Sequence, residues 1–190
     1  MTDFQPLRVM AGPCAVESLE TTIAVAVEIK RVCDKLGLPF HFKASYRKAN
    51  RTRLDSFTGI GDREALEVLS RVKSDLDVGI VTDIHTPEEA AMAADVADVI
   101  QIPAFLCRQT DLLIAAAQTG RIVNVKKGQF MAPDSMKYAV DKIRESGNDD
   151  VWLTERGTMH GYGDLVVDMR GLETMRAFAP TFMDLTHSLQ

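Results

Sequence analysis

Seven short apolar runs alternate with amphipathic segments along this chain, and this alternation limits the folds that are open to it. The runs are continuously apolar rather than alternating with polar residues, which is typical of parallel strands covered by helices. The pattern therefore predicts an α/β fold. The predicted strands are 7–10, 39–43, 78–82, 98–102, 122–126, 151–154 and 180–185. Helical periodicity covers 19–36, 63–76, 87–94, 111–118, 135–145 and, more weakly, 172–178.

Seven successive strands with helices between them indicate a (β/α)8 TIM barrel, with strands one to seven present and the eighth βα unit missing from this chain. An open doubly wound sheet is the alternative, but its usual glycine-rich turn is absent, because Gly59-Ile60-Gly61 is followed by Glu64. We predict a single barrel domain over residues 1–190 that is incomplete at the C-terminus, since such a barrel takes about 250 residues. We expect the 190 residues to be part of a longer polypeptide, or a truncated product that cannot turn over alone.

The charge balance and the apolar segments narrow the classes of partner. The chain has 22 lysines and arginines against 27 acidic residues, a net charge of −5, and no basic run, which argues against non-specific nucleic-acid binding. No signal peptide is visible, and the most apolar stretch, 90–107, is interrupted by Asp95, Asp98 and Pro103, which argues against a membrane span. Three widely spaced cysteines indicate a reducing compartment. We expect a cytoplasmic protein.

Cationic side chains recur after the predicted strands, at the end where a barrel builds its active site. For any one of them, solvated surface charge is the ordinary interpretation. That interpretation does not explain the repetition at the same end of several strands. Clustered cations repel unless an anion neutralises them, and phosphate and carboxylate fit that role. The pattern therefore predicts an enzyme that acts on small phosphorylated acids or sugars. The cations are Lys43, Lys48, Arg51, Arg108, Lys126, Lys127 and Arg156.

Cys14 and His187 follow the first and the seventh predicted strands. A thiolate together with an imidazole selects zinc or iron-like divalent metals. Taken alone, however, Cys14 is more simply a small buried residue, and His85 and His187 are ordinary hydrogen-bonded histidines. Two ligands do not make a zinc site, which takes three or four from the protein.

Several stretches of the sequence closely resemble the 3-deoxy-D-manno-octulosonate 8-phosphate synthases. They are 11–18 (AGPCAVES), 42–52 (FKASYRKANRT), 82–85 (TDIH), 102–110 (IPAFLCRQT), 124–129 (NVKKGQ), 165–170 (LVVDMR) and 186–190 (THSLQ). The resemblance covers almost the whole chain in order. It implies a cytoplasmic, homotetrameric barrel enzyme of lipopolysaccharide synthesis. Such an enzyme is a transferase that condenses phosphoenolpyruvate with D-arabinose 5-phosphate and releases inorganic phosphate.

The resemblance also implies roles for individual residues. Catalytic roles fall to Lys48, Asp83, Lys126 and Arg156. Of these, Asp83 would face the arabinose chain, and the three cations would hold the phosphate and carboxylate of phosphoenolpyruvate. Lys43, Gln101 and the backbone at Ala104 would assist them. Asn50 would contact a sugar hydroxyl, and Arg51 with Thr52 the sugar phosphate; Thr52 replaces the usual serine and keeps its hydroxyl.

Cys14 occupies the position at which metal-dependent members of the family carry a thiolate ligand and metal-independent members carry asparagine. His187 matches the imidazole ligand. The resemblance thus implies a divalent cation (zinc, iron or manganese), with a glutamate and an aspartate from beyond residue 190 as the other ligands. One departure is His160, where the family generally has an aromatic residue beside the segment of Arg156.

Three other functions remain open from the sequence. The related shikimate-pathway synthase uses erythrose 4-phosphate, although Lys48-Ala49-Asn50-Arg51 differs from the Lys-Pro-Arg pattern of that family. A Schiff-base aldolase would use Lys43 or Lys126, since neighbouring cations and burial lower the pKa of an amine. A non-catalytic, truncated phosphate-binding subunit is the third.

Overall fold

A computed structural model of the chain describes residues 7–190, which divide into two units. Unit 1 consists of residues up to Asp83 together with Val96–Asp98, and unit 2 of Ile84–Asp95 and Val99–Gln190. Each unit alternates parallel strands with helices, which confirms the predicted α/β class. The prediction of one domain over 1–190 stays a prediction, and residues 1–6 of that range lie outside the described residues.

Unit 1 contains three parallel strands in chain order. They are β1 (Val9–Ala11), β2 (Phe40–Lys43) and β3 (Gly79–Asp83), joined by α1 (Leu19–Leu36) and α2 (Asp62–Leu76). Val9 lies opposite Phe40, and His41 opposite Gly79. This register brings the carboxyl ends of the three strands to one edge, where the candidate residues of this unit follow.

The boundaries of α1 agree with the predicted helix 19–36 because both ends carry strong local signals. Ser18 caps the first turn, its hydroxyl oxygen accepting the backbone N–H of Thr21 at 3.1 Å. At the other end Gly37 has φ 64°, the left-handed conformation that terminates helices and that glycine adopts without strain. Capping and periodicity thus specify this element without help from the rest of the protein.

Unit 2 contains four more parallel strands in chain order, β4 (Val99–Ile102), β5 (Ile122–Lys126), β6 (Val151–Glu155) and β9 (Thr181–Met183). Its helices are α3 (Glu89–Ala94), α4 (Thr110–Gln118), α5 (Lys137–Glu145) and α6 (Arg170–Arg176). Every residue of β4 is buried, including the polar Gln101, as expected for a parallel strand covered by helices. Short 3-10 turns follow at Ala104–Leu106, Pro133–Met136 and His187–Leu189.

Seven parallel strands therefore lie within residues 7–190, each at one of the seven predicted positions. Neighbours within each unit follow the order of the chain, as they do in a (β/α)8 barrel. The largest shifts are of two residues. Strand β1 begins at Val9 rather than residue 7, because pairing with β2 starts at Val9, and β9 ends at Met183 rather than residue 185, because pairing with β6 stops there. No helix among the described residues is long and apolar enough to cross a bilayer.

One element was not predicted. Strands β7 (Thr158–His160) and β8 (Asp164–Val166) form an antiparallel hairpin between β6 and α6. Both strands are three residues long and largely exposed, so they carry almost no periodic apolar signal. The turn depends on Gly161, whose φ of 68° is left-handed. His160, the departure from the resemblance, lies exposed at the end of β7.

Candidate active site

In unit 1 the candidate residues begin where β1 passes very close to the end of β2. A Cβ added at Gly12 would lie 2.1 Å from the carbonyl oxygen of Lys43, so only glycine fits there. Two residues later the Cys14 carbonyl accepts the backbone N–H of Ser45 at 3.4 Å, and the thiol of Cys14 is exposed. The approach at Gly12 thus places Cys14 beside the residues that follow β2.

The Ser45 side chain brings two predicted phosphoenolpyruvate-binding lysines together. Its hydroxyl oxygen accepts Lys48 Nζ at 2.8 Å and Lys43 Nζ at 3.5 Å, and Ser45 is fully buried. Two ammonium groups that share one small hydroxyl repel each other, so an anion between them would be favourable. Sequence reasoning missed Ser45; its position between the two lysines is the only signal that could have indicated it.

The predicted sugar-phosphate residues lie in the loop after β2. Asn50, Arg51 and Thr52 are all exposed. Arg51 Nε donates to the carbonyl oxygen of Phe57 at 2.9 Å, which ties the guanidinium to the far side of the same loop. Asp83 is the last residue of β3 and is buried, with 7% of its surface exposed. Asn50, Arg51 and Thr52 thus lie in the loop after β2, and Asp83 lies at the carboxyl end of β3.

Unit 2 places Gln101 in a buried polar chain that crosses three strands. Gln101 Nε2 donates to Asn124 Oδ1 at 2.7 Å, and Asn124 Nδ2 donates to Thr154 Oγ1 at 2.9 Å. These bonds hold the Gln101 side chain in one orientation within the strand layer. Ala104, the other predicted backbone contact, opens the 3-10 turn after β4 and is buried.

Asp184, just after β9, is the centre of a second cluster. Its Oδ2 contacts Lys126 Nζ closely and lies 2.8 Å from His187 Nδ1, while Oδ1 accepts the backbone N–H groups of Thr186 and His187 at 3.1 and 2.9 Å. Although burial raises the pKa of Asp184, hydrogen bonding from His187 and the charge of Lys126 outweigh it and hold that pKa well below its ordinary value. Asp184 is therefore a carboxylate that fixes both partners.

Arg156 joins the same cluster from the end of β6. Its Nη2 donates to the carbonyl oxygen of His187 at 2.6 Å and to Gln190 Oε1 at 2.9 Å. Its Nε is buried and has no hydrogen-bond partner within residues 7–190. Burial lowers the pKa of Arg156, while the carboxylates of Asp184 and Glu155 oppose that shift. A buried guanidinium with an unused donor is suited to bind an oxyanion.

The structure therefore gathers five of the predicted site residues into two clusters, one in each unit. In unit 1, Lys43 and Lys48 meet on Ser45, and in unit 2 Lys126 and His187 meet on Asp184 with Arg156 beside them. Asp184 lies near the end of the last predicted strand, 180–185, and directly follows the observed strand β9, but it was not among the predicted site residues. The sequence did carry a signal, because an acidic residue at the end of a strand can pair with a histidine three residues later.

Cys14 and His187, the predicted metal ligands, meet part of what a metal site requires. A thiol and an imidazole are suitable donors, and His187 has the carboxylate partner on its other ring nitrogen that metal-binding histidines usually have. However, residues 7–190 contain no group of three or more His, Cys, Asp or Glu side chains that could hold a metal ion. The described residues thus do not make up a complete site by themselves.

Comparison with known proteins adds an independent result. The sequence profile of the DAHP synthetase I family matches residues 3–190. A 2-dehydro-3-deoxyphosphooctonate aldolase from Koribacter versatilis is 56% identical over 184 residues, which are 97% of this chain and 66% of that protein. Proteins of the same name from Pelobacter propionicus and a Synechococcus strain are 54% and 52% identical, covering 98% and 99% of this chain. They are matched over 69% and 66% of their own lengths, so this chain spans about two thirds of its relatives.

Proposed function

This chain belongs to the DAHP synthetase I family, and from that premise we propose that the protein condenses phosphoenolpyruvate with D-arabinose 5-phosphate in lipopolysaccharide synthesis. The products are 3-deoxy-D-manno-octulosonate 8-phosphate and inorganic phosphate. The observation that carries the proposal is the identity of more than half of the aligned residues with relatives named 2-dehydro-3-deoxyphosphooctonate aldolase. The clusters around Ser45 and Asp184 support it, because both present cations to a small anionic substrate.

The proposed roles follow from the groups that each cluster offers. Arg156 and Lys126 would bind the phosphate and carboxylate of phosphoenolpyruvate, with Lys43 and Lys48 as further cations. The Asp184 carboxylate holds the Lys126 side chain in place, since it contacts Lys126 Nζ directly. Cations fixed before the reaction begins stabilise the charge that develops during it without having to reorganise.

The reaction proceeds in three steps. C3 of phosphoenolpyruvate attacks the aldehyde carbon of arabinose 5-phosphate and forms the new C–C bond. The electron pair of the aldehyde π bond moves to the aldehyde oxygen, which takes up the proton that the water releases in the next step. A water molecule then adds at C2 of the former phosphoenolpyruvate. The resulting hemiketal phosphate collapses with cleavage of the C2–O bond, and inorganic phosphate leaves. Asp83, a buried carboxylate at the end of β3, is the proposed contact of the arabinose chain near the reacting carbons.

We propose further that Cys14 and His187 are two ligands of a divalent cation, and that the protein is a cytoplasmic homotetramer. A bound zinc, iron or manganese ion would supply Lewis-acid chemistry or a water of lowered pKa. Support for the ligands comes from the exposed thiol of Cys14 and from the Asp184 carboxylate on His187 Nδ1. Light scattering after gel filtration tests the tetramer.

The first experiment measures phosphate release from phosphoenolpyruvate with arabinose 5-phosphate and, separately, with erythrose 4-phosphate. We expect release with the five-carbon sugar. Release with erythrose 4-phosphate alone would assign the protein to the shikimate-pathway reaction instead. Covalent trapping of substrate on Lys43 or Lys126 by borohydride would indicate a Schiff-base aldolase, and no release with either sugar would contradict the proposed activity.

The sugar-phosphate site is tested with Arg51→Ala. Removing a charge-assisted phosphate contact should raise the KM for arabinose 5-phosphate by about tenfold or more and leave the phosphoenolpyruvate KM nearly unchanged. Arg53→Ala is the matched control, because Arg53 lies in the same exposed loop and pairs with Asp55 at 2.7 Å. Equal effects of Arg51→Ala on the two substrates would show that Arg51 has another role.

A further inference from the structure

Lys127 is a fully buried lysine that the proposed mechanism does not use. Its Nζ donates to the carbonyl oxygens of Gly128 and Met131 at 3.2 Å, and to the Gly157 carbonyl and Thr158 Oγ1 at 3.0 Å. The first two acceptors follow β5, and the last two follow β6. One ammonium group therefore connects the segments at the carboxyl ends of two neighbouring strands.

Glu155, the last residue of β6, is the counter-charge. Its Oε1 lies 3.4 Å from Lys127 Nζ and accepts the backbone N–H groups of Arg156 at 2.8 Å and Gly157 at 2.6 Å. Gly157 has φ 95°, so the chain turns sharply directly after Arg156. The carboxylate thus organises the turn that carries the Arg156 side chain.

Lys127 and Glu155 are each adjacent in the chain to a residue that we assign to phosphoenolpyruvate binding. Successive side chains of an extended chain point to opposite sides. Lys126, the last residue of β5, contacts Asp184, while the next residue, Lys127, is fully buried and pairs with Glu155. Likewise Glu155 is the last residue of β6, and Arg156 follows it. Lys127 and Glu155 are therefore each the chain neighbour of one of the two cations that we assign to phosphoenolpyruvate.

Stability alone is a weak reason for this pair. Burying two charges costs about as much as their attraction returns, and replacement of such pairs by apolar residues is often neutral. Burial lowers the pKa of Lys127, whereas the charge of Glu155 opposes that shift. The pair instead fixes the positions of two backbone segments. Its ammonium and carboxylate groups take part in six hydrogen bonds, and all six join them to the segments after β5 and β6.

We propose that Lys127 and Glu155 are positioning residues, which hold Lys126 and Arg156 at the separation that bound phosphoenolpyruvate requires. The ligand named here rests on the proposed function. The two residues touch no substrate themselves and act through the backbone of their neighbours.

Two variants test this in the intact protein, Lys127→Met and Glu155→Gln. The second keeps the size of the side chain and an acceptor for the two backbone N–H groups, so it serves if the first fails to fold. Small displacements of binding groups cost about ten- to a hundredfold. We therefore expect both variants to raise the Kd of phosphoenolpyruvate, measured by titration calorimetry, by at least about tenfold, with the KM for arabinose 5-phosphate unchanged.

The matched control is Lys73→Met. Lys73 in unit 1 also forms a partly buried ion pair, with Nζ 2.6 Å from Asp98 Oδ1, and it is not assigned to any substrate. We expect this variant to lose stability without losing affinity for phosphoenolpyruvate. If the Kd rises equally in Lys73→Met and in the test variants, the effect is general destabilisation and the positioning role is overturned. A wild-type Kd in both folded test variants also overturns it.

Hydrogen exchange without any ligand separates this inference from the proposed function. The amides of Arg156 and Gly157 donate to Glu155 Oε1. They should exchange faster in both test variants than in wild type, because the neutral amide oxygen of Glu155→Gln is a weaker acceptor than a carboxylate, and Lys127→Met removes the counter-charge that holds the carboxylate. Unchanged exchange overturns the proposed positioning. A wild-type protein that fails to bind phosphoenolpyruvate overturns the proposed function, whereas faster exchange in the variants would still support the role of the pair in holding Arg156.

Discussion

Replacement of Asp184 by asparagine is the sharpest test of the cluster in unit 2. The carboxylate accepts two backbone N–H groups on Oδ1, and contacts His187 Nδ1 and Lys126 Nζ on Oδ2. In Asp184→Asn the amide oxygen can keep the two backbone bonds. The amide nitrogen is itself a donor and cannot accept from Lys126 Nζ, so Lys126 loses this hydrogen bond and the carboxylate that pairs with it.

The size of the effect follows from burial. Only 12% of the Lys126 and Asp184 side chains is exposed, so water replaces the lost partner poorly. A hydrogen bond to a charged group contributes about 1.5–3 kcal/mol, and removal of one member of a buried pair costs about 3–5 kcal/mol. Because Lys126 retains some contact with solvent, we expect the low end, about 3 kcal/mol of unfolding free energy.

Urea denaturation followed by the fluorescence of Trp152 measures this loss. The protein has one tryptophan, and its ring packs 5.1 Å from that of Phe182 on β9, close to the substitution. With a slope of about 2 kcal/mol/M, the midpoint should fall by about 1.5 M. Asp168→Asn is the control, since the Asp168–Arg170 pair is exposed and should contribute nothing measurable. A midpoint shift no larger than that of Asp168→Asn would refute the reasoning.

Three further predictions concern other parts of the protein. Gly12→Ala should prevent normal pairing of β1 with β2, because its Cβ would lie 2.1 Å from the carbonyl oxygen of Lys43. Thermal unfolding of this variant should show a large loss of stability. Gly163→Ala is the control and should lose no stability, because the space around Gly163 is open. Burial lowers the pKa of His41 below 6.5 in the folded protein. As pH falls, His41 therefore binds a proton in the unfolded chain before it does so in the folded one, and the free energy of unfolding should decrease below about pH 6.5. Urea midpoints at pH 7.5 and 5.5 should therefore differ less in His41→Phe than in wild type, and an equal difference would contradict this assignment. Elemental analysis of the purified protein should find a bound divalent cation. A chelator should remove this cation and abolish activity, and added zinc, iron or manganese should restore activity. Undiminished metal content in Cys14→Ala would show that the thiol is not a ligand.

The amino-acid sequence alone was sufficient to predict the elements whose signals are local. Helix α1 agrees with its predicted range because Ser18 and Gly37 terminate it. Strand β5 agrees at 122–126 because an apolar run that is interrupted only by Asn124 ends at two lysines. The sequence also placed the candidate cations after the strands, since that depends only on the order of residues along the chain. The β7–β8 hairpin was missed because its short, exposed strands pair only with each other.

Tertiary structure decided which of these side chains meet. Lys126 and Lys127 are adjacent and chemically identical, yet one contacts Asp184 and the other is fully buried against Glu155. Lys126 and Asp184 are 58 positions apart in the chain, so no local signal could pair them. Strand register sets which face each side chain occupies, and a shift of one residue would exchange the two lysines. The sequence therefore determined the order of the elements and which charged residues follow each strand. Packing of the parallel strands determined which of these charges became partners, because such contacts form only when distant segments are brought together.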